Sequence, residues 1–276
     1  MGRMVAALHE EPVQDSWSVA SLTEFVAESV RNAREGSVPF YHLQFDRVFP
    51  PDFYAEMLRT MPDDTDYRPM SGKSKMGSSR PDGKPTRTKI DLFPEYIRHL
   101  PAEKVMVWDV VGRVLRSEKV KSALIQKLGP GLEKRFGKDF HGVGMYPVPI
   151  LTRDIPGYRV FKHTDSLWKG ITVQLYLPAD DSNRNVGTIF HERLPDGTKP
   201  KRTRMPFAPN SGYAFAVWND TWHSADPVGP EVRTRDSILL TYFVDRGIWR
   251  TLRNRARRVG NFLLNELRSL GAKFFS

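Results

Sequence analysis

From residue 139 onward the chain changes its hydrophobic period, and this change constrains the fold more than any other feature. The segments FHGVGMYPVPILTRD, YRVFKHTD, GITVQLYLP, VGTIF, GYAFAVW and DSILLTYFV follow one another with turn residues between them. Short strands spaced in this way predict a sandwich or barrel. The earlier pattern is helical. SLTEFVAESVRNAREG places Ser21 three residues before Glu24, a capping box, and then keeps helical spacing to Gly36, which predicts a helix of about four turns. FYHLQFDRVF is aromatic and β-favouring, and PPDFYAEMLRTMP predicts a short helix bounded by prolines. Residues 102–136 carry apolar side chains at helical spacing with a break at Gly129-Pro130. The expected class is α+β, with a mainly helical N-terminal support region, 1–138, packed around a β core, 139–246.

Composition narrows the chemistry. The chain has 276 residues, 39% hydrophobic, with 16 Phe, enough for a substantial core. It has no Cys, so any metal must sit on His, Asp, Glu or water. Neither GxxxxGK[ST] nor GxGxxG occurs, which excludes P-loop nucleotide hydrolysis. The N-terminal MGRMVAALHEEPVQDSW lacks a signal-peptide apolar region and SILLTYFV is too short to span a bilayer, so the expectation is a cytoplasmic protein.

The net charge of +10 is unevenly spread: seven cations and one anion, Glu266, fall between Gly247 and Ser276. The preceding 246 residues hold 35 basic and 31 acidic side chains, close to balance. Cations are not interleaved with aromatics around the predicted strands, so there is no strong nucleic-acid signal. A second basic stretch, SGKSKMGSSRPDGKPTRTK at 71–89, has the Gly, Ser and Pro content of a flexible loop, either solubilising or a lid over a ligand.

Candidate chemistry starts at HTD. His163 and Asp165 are two apart, so on a strand they share a face and can hold a divalent metal. A third ligand is offered by His223, 58 residues after Asp165 in VWNDTWHSADPV. Two His and one carboxylate with open positions suit non-haem Fe(II). In RTRDSILLTYF a strand would align Arg235 and Ser237, an anion clamp for the distal carboxylate of a 2-oxoacid. Arg233 competes, since the same strand face would hold it; Arg235 completes the Arg-x-Ser pattern. In ITVQLYL, Ile171, Val173, Leu175 and Leu177 form one face, and Thr172, Gln174 and Tyr176 form the other, directed at the metal side to bind co-substrate or orient a ligand. Trp168, Trp218, Asn219 and Trp222 flank the triad. His9, His42, His99, His141 and His191 are read as ordinary surface or core residues.

In this order, HTD, WHSADPV and RDS resemble the Fe(II)/2-oxoglutarate-dependent dioxygenases over residues 139–245. The resemblance implies a double-stranded β-helix, or jelly roll, with His163, Asp165 and His223 as iron ligands. It also implies Arg235 and Ser237 as the 2-oxoglutarate clamp, and the polar face of Thr172, Gln174 and Tyr176 read from the alternation is then expected beside it. The implied cofactors are Fe(II), 2-oxoglutarate as co-substrate, and O2; the implied reaction is hydroxylation of a small molecule or attached metabolite with release of succinate and CO2. Halogenating relatives have a small residue at the carboxylate position; Asp165 favours hydroxylation. The alternatives are a redox-inert metal-binding β-barrel acting as a sensor or binding module, and a nucleic-acid demethylase.

In the tail, Leu252, Ala256, Val259, Leu263, Leu267 and Leu270 recur at three- and four-residue steps and predict a basic amphipathic helix over 247–276. It either docks on the domain or makes peripheral contact with the inner membrane surface. Oligomeric state has no signature in the sequence.

Overall fold

The computed structural model describes residues 17–70, 85–192 and 202–245; the helix expected over 247–276, residues 71–84 of the basic stretch, and His9 lie outside the described residues. The helices are α1 (Val19–Arg31), α2 (Pro51–Arg59), α3 (Pro94–Ile97), α4 (Ala102–Leu115), α5 (Glu118–Lys127) and α6 (Gly129–Phe136). The early strands are β1 (Arg34–Gly36), β2 (His42–Phe45), β3 (Arg68–Pro69) and β4 (Arg87–Asp91). The later ones are β5 (Met145–Asp154), β6 (Val160–His163), β7 (Lys169–Tyr176), β8 (Thr188–His191), β9 (Arg202–Met205), β10 (Gly212–Ala216), β11 (Trp222–Ala225) and β12 (Arg235–Val244).

These strands form two antiparallel sheets, ordered β1-β2-β10-β7-β12-β5-β4-β3 and β6-β11-β8-β9. Alternation along β7 decides what each face of the large sheet meets. Ile171, Val173 and Leu175 join Ile238, Leu240 and Tyr242 of β12 in a core shared with the helices. In α1, Leu22, Val26 and Val30 recur every four residues and supply that core, as do Trp108, Val111 and Leu115 of α4. Trp108 is fully buried and donates its indole N–H to the Thr60 carbonyl at 2.8 Å. Gly112 permits this packing, because a Cβ there would lie 2.5 Å from the Leu92 carbonyl oxygen. A second, mostly aromatic core fills the space between the sheets, where Phe190 of β8 meets Tyr213 and Phe215 of β10 at 5.0 and 5.7 Å between ring centroids.

The helices differ from the sequence expectation at their starts. Ser18, not Ser21, caps α1: its hydroxyl accepts the Ser21 backbone N–H at 3.0 Å, and Glu24 pairs instead with Lys119. Ser18→Ala should cost about 1 kcal/mol of stability, readable as a shift in the urea midpoint. Residues 102–136 break twice, at Gly129 and also at Ser117, whose hydroxyl accepts from Val120 N and caps α5.

The N-terminal half is also less purely helical than its periodicity suggests, since β1 and β2 extend one edge of the large sheet and β4 and β3 the other. The end of the basic stretch, expected as loop, is strand β4: Arg87, Thr88 and Lys89 pair with Asp154, Arg153 and Thr152 of β5. Cations on a buried strand read as solvated loop until their partners are known, and the partner Asp154 is 67 residues away.

Candidate metal centre and anion site

His163 ends β6, and the antiparallel register sets His223 of β11 directly opposite it. The two rings lie 4.3 Å apart between centroids. Asp165 is two residues beyond the end of β6, so it is not held there by strand alternation as expected. Side chains hold it instead: Thr172 Oγ1 donates to Oδ2 at 2.6 Å and Lys169 Nζ to Oδ1 at 2.7 Å, both from β7. Arg135 of α6 secures the connecting loop by donating to the carbonyls of Leu167, Lys169 and Val217. One potential ligand atom from each of His163, Asp165 and His223 comes within 4.8 Å of the other two.

The protonation of this group is legible from its hydrogen bonds. Nδ1 of His163 lies 2.9 Å from the Phe161 carbonyl, and Nδ1 of His223 lies 3.0 Å from the Thr221 carbonyl. A carbonyl only accepts, so each Nδ1 carries a proton and Nε2 is the ring nitrogen left to face a metal. Burial pushes the His223 imidazole down to about 4, helped by the neighbouring His163 and opposed by Asp165, so the ring is neutral at pH 7. Burial alone would raise the Asp165 carboxyl; Lys169, His223 and the Thr172 hydroxyl more than reverse it and hold the group well below the usual carboxylate range. Two imidazole nitrogens and an anionic oxygen therefore converge, a donor set suited to a divalent first-row metal.

From Asp165 a line of polar groups runs into the space between the sheets. Gln174 donates to the Ser237 hydroxyl, which also bonds Thr152 Oγ1 at 2.9 Å. Tyr176 and Tyr213 both donate to Thr188 Oγ1, at 2.9 and 3.0 Å. Arg235 begins β12 and is buried, its Nε donating to the Val186 carbonyl at 2.6 Å and its Nη1 to Asp154 Oδ2 at 2.8 Å. Arg233 stands outside β12 and is exposed, contrary to the expectation that it shares the Arg235 strand face.

The flanking residues divide. Phe161, Leu167 and Trp168 are exposed beside the triad. Trp218 lies against Arg135, Lys162 lies over Trp222 at 5.6 Å, and Asn219 is exposed. His191 is paired in register with Trp222, not His223, and contacts Ser224 Oγ at 2.7 Å. His42 is buried against Phe190, and His99 and His141 sit beside Asp66 and Phe140. Sequence reasoning missed Lys169, Arg135 and Asp154, and placed Arg87 only in a basic loop. Lys169, four residues from Asp165, carried the one local signal among them; the others act across long separations.

Neither a protein-family model nor a curated protein matches the chain. Solved structures do. A prolyl-4-hydroxylase from Pseudomonas putida matches at TM-score 0.47 and 16% identity, over 80% of this chain and 98% of that one. A prolyl hydroxylase from Trichoplax adhaerens, in complex with a hypoxia inducible factor oxygen degradation domain peptide fragment, matches at 0.47 and 12%, over 85% and 94%. The non-heme alpha ketoglutarate dependent epimerase SnoN from nogalamycin biosynthesis matches at 0.47 and 12%, over 82% and 84%; another of its structures is a complex with Fe3+, alpha ketoglutarate and nogalamycin RO. Among the described residues no helix is long and apolar enough to cross a membrane.

Proposed function

We propose that the chain is an Fe(II)- and 2-oxoglutarate-dependent dioxygenase that hydroxylates a C–H bond of a small molecule or attached metabolite. In this reading residues 139–246 form a catalytic double-stranded β-helix and residues 1–138 support it. The observation that carries the reading is the meeting of His163, Asp165 and His223 ligand atoms within 4.8 Å, with both histidines presenting Nε2. Three protein ligands leave positions for a chelating co-substrate and oxygen.

When bound, Fe(II) with 2-oxoglutarate and O2 supplies the oxidation: 2-oxoglutarate becomes succinate and CO2, one oxygen atom entering the succinate and the other the hydroxylated product. The chain's residues position the reactants. His163, Asp165 and His223 hold the metal, and Thr172 and Lys169 keep the Asp165 carboxylate charged and oriented. Arg235 and Ser237 receive the distal carboxylate of 2-oxoglutarate. Gln174 orients the Ser237 hydroxyl, and Tyr176 forms a wall against the Arg235 guanidinium at 5.4 Å. The aromatic core between the sheets keeps water from this end of the site.

Succinate formation against a panel of metabolites tests the reading. It should require both Fe(II) and O2 and vanish in Asp165→Ala. A protein that binds Fe(II) but consumes no 2-oxoglutarate with any substrate is the redox-inert binding module instead.

A further inference from the structure

The Asp154 carboxylate is shared by two guanidinium groups. Arg87 donates to it as a fork, Nε to Oδ1 at 2.6 Å and Nη2 to Oδ2 at 2.9 Å, while Arg235 donates Nη1 to the same Oδ2 at 2.8 Å. The side chains of Arg87, Asp154 and Arg235 are 13%, 0% and 2% exposed. Two cations on one anion leave a single positive charge uncompensated within the trio. In an interior of low dielectric, that charge is costly until an anion meets it. The aromatic faces nearby, Tyr158 at 4.4 Å from Arg87 and Phe207 at 5.7 Å from Arg235, are attractive to a cation but carry no net charge.

How the charge is divided matters for binding. If Asp154 served Arg235 alone, the two would form a neutral pair with little attraction for another carboxylate. Arg87 takes both carboxylate oxygens and leaves Arg235 one of them, already shared. Arg235 is thereby fixed in place without being neutralised.

We propose that Arg87 and Asp154 are positioning residues that make Arg235 a receptor for the distal carboxylate of a dianionic 2-oxoacid, selecting it over 2-oxoacids with uncharged tails. This rests on the reading of Arg235 as the 2-oxoglutarate clamp. The charge on the trio, rather than its packing alone, sets the selectivity.

Calorimetry on Mn(II)-loaded protein with 2-oxoglutarate, and with 2-oxopentanoate as the same chain ending in a methyl group, tests this charge account. Arg87→Gln neutralises the trio and should weaken 2-oxoglutarate on the order of tenfold, leaving 2-oxopentanoate and Mn(II) unchanged. Asp154→Asn should lower the melting temperature, because two arginines then face each other, yet keep or tighten 2-oxoglutarate. The double variant restores a charge of +1 and should return 2-oxoglutarate affinity to within about threefold of the wild type. Should Arg87→Gln not fold, Arg87→Lys keeps the charge and should keep the preference for 2-oxoglutarate. Equal weakening of both 2-oxoacids in Arg87→Gln and in Asp154→Asn would overturn the proposal and leave the trio as scaffold. A wild type that binds neither 2-oxoacid refutes the dioxygenase reading itself, a separate failure visible before any variant is made.

Discussion

His223→Ala should remove divalent-metal binding. The effect should exceed the roughly 10- to 100-fold loss of affinity that follows removal of a supporting partner, because one of three donors disappears outright. Thr172→Val, which deletes one of the two hydrogen bonds that hold Asp165, should fall within that smaller range. Calorimetric titration with Mn(II) measures both. The His223→Ala protein should remain folded: the ring is neutral, and its loss leaves the Thr221 carbonyl without a partner, a cost of about 1–3 kcal/mol, and removes a ring contact with Phe215. Equal Mn(II) affinity in His223→Ala and wild type would move the metal elsewhere.

Arg235→Gln should weaken 2-oxoglutarate about ten- to a hundredfold, since a charge-assisted contact contributes roughly 1.5–3 kcal/mol, while Mn(II) binds as before. Stability should fall less than for an ordinary broken buried ion pair, because Asp154 keeps its fork from Arg87. Arg233→Ala should change little, its side chain being exposed and outside β12. Calorimetry of 2-oxoglutarate on the Mn(II)-loaded variants gives the ranking, and a larger effect at Arg233 would place the carboxylate there.

What was legible in the sequence was what repeats locally. The alternation of 171–177 announces its two faces, and the structure assigns the apolar one to the helices and the polar one to the space between sheets. HTD and the later His223 could be singled out because two His and one carboxylate make a familiar metal-donor set. Their meeting could not be read from spacing, since it depends on β6 pairing with β11. Asp165 shows the limit well: strand alternation puts it beside His163, but it is Thr172 and Lys169 that hold it. Strand β4 was hidden because Arg87 and Lys89 look solvated until Asp154 and Asp91 are known to face them. The Ser18 cap was displaced by Ser21, a residue of the same chemistry three positions on.

The proposed function requires one site to hold Fe(II) and 2-oxoglutarate together. Anaerobic titration followed by visible absorption tests it most directly, because the weak charge-transfer band of the Fe(II)–2-oxoglutarate chelate needs both components at one centre. The band should appear only with both present and be absent in His163→Ala and Asp165→Ala. Tight Fe(II) binding with no band, and no 2-oxoglutarate heat by calorimetry, would show a metal site that does not take this co-substrate.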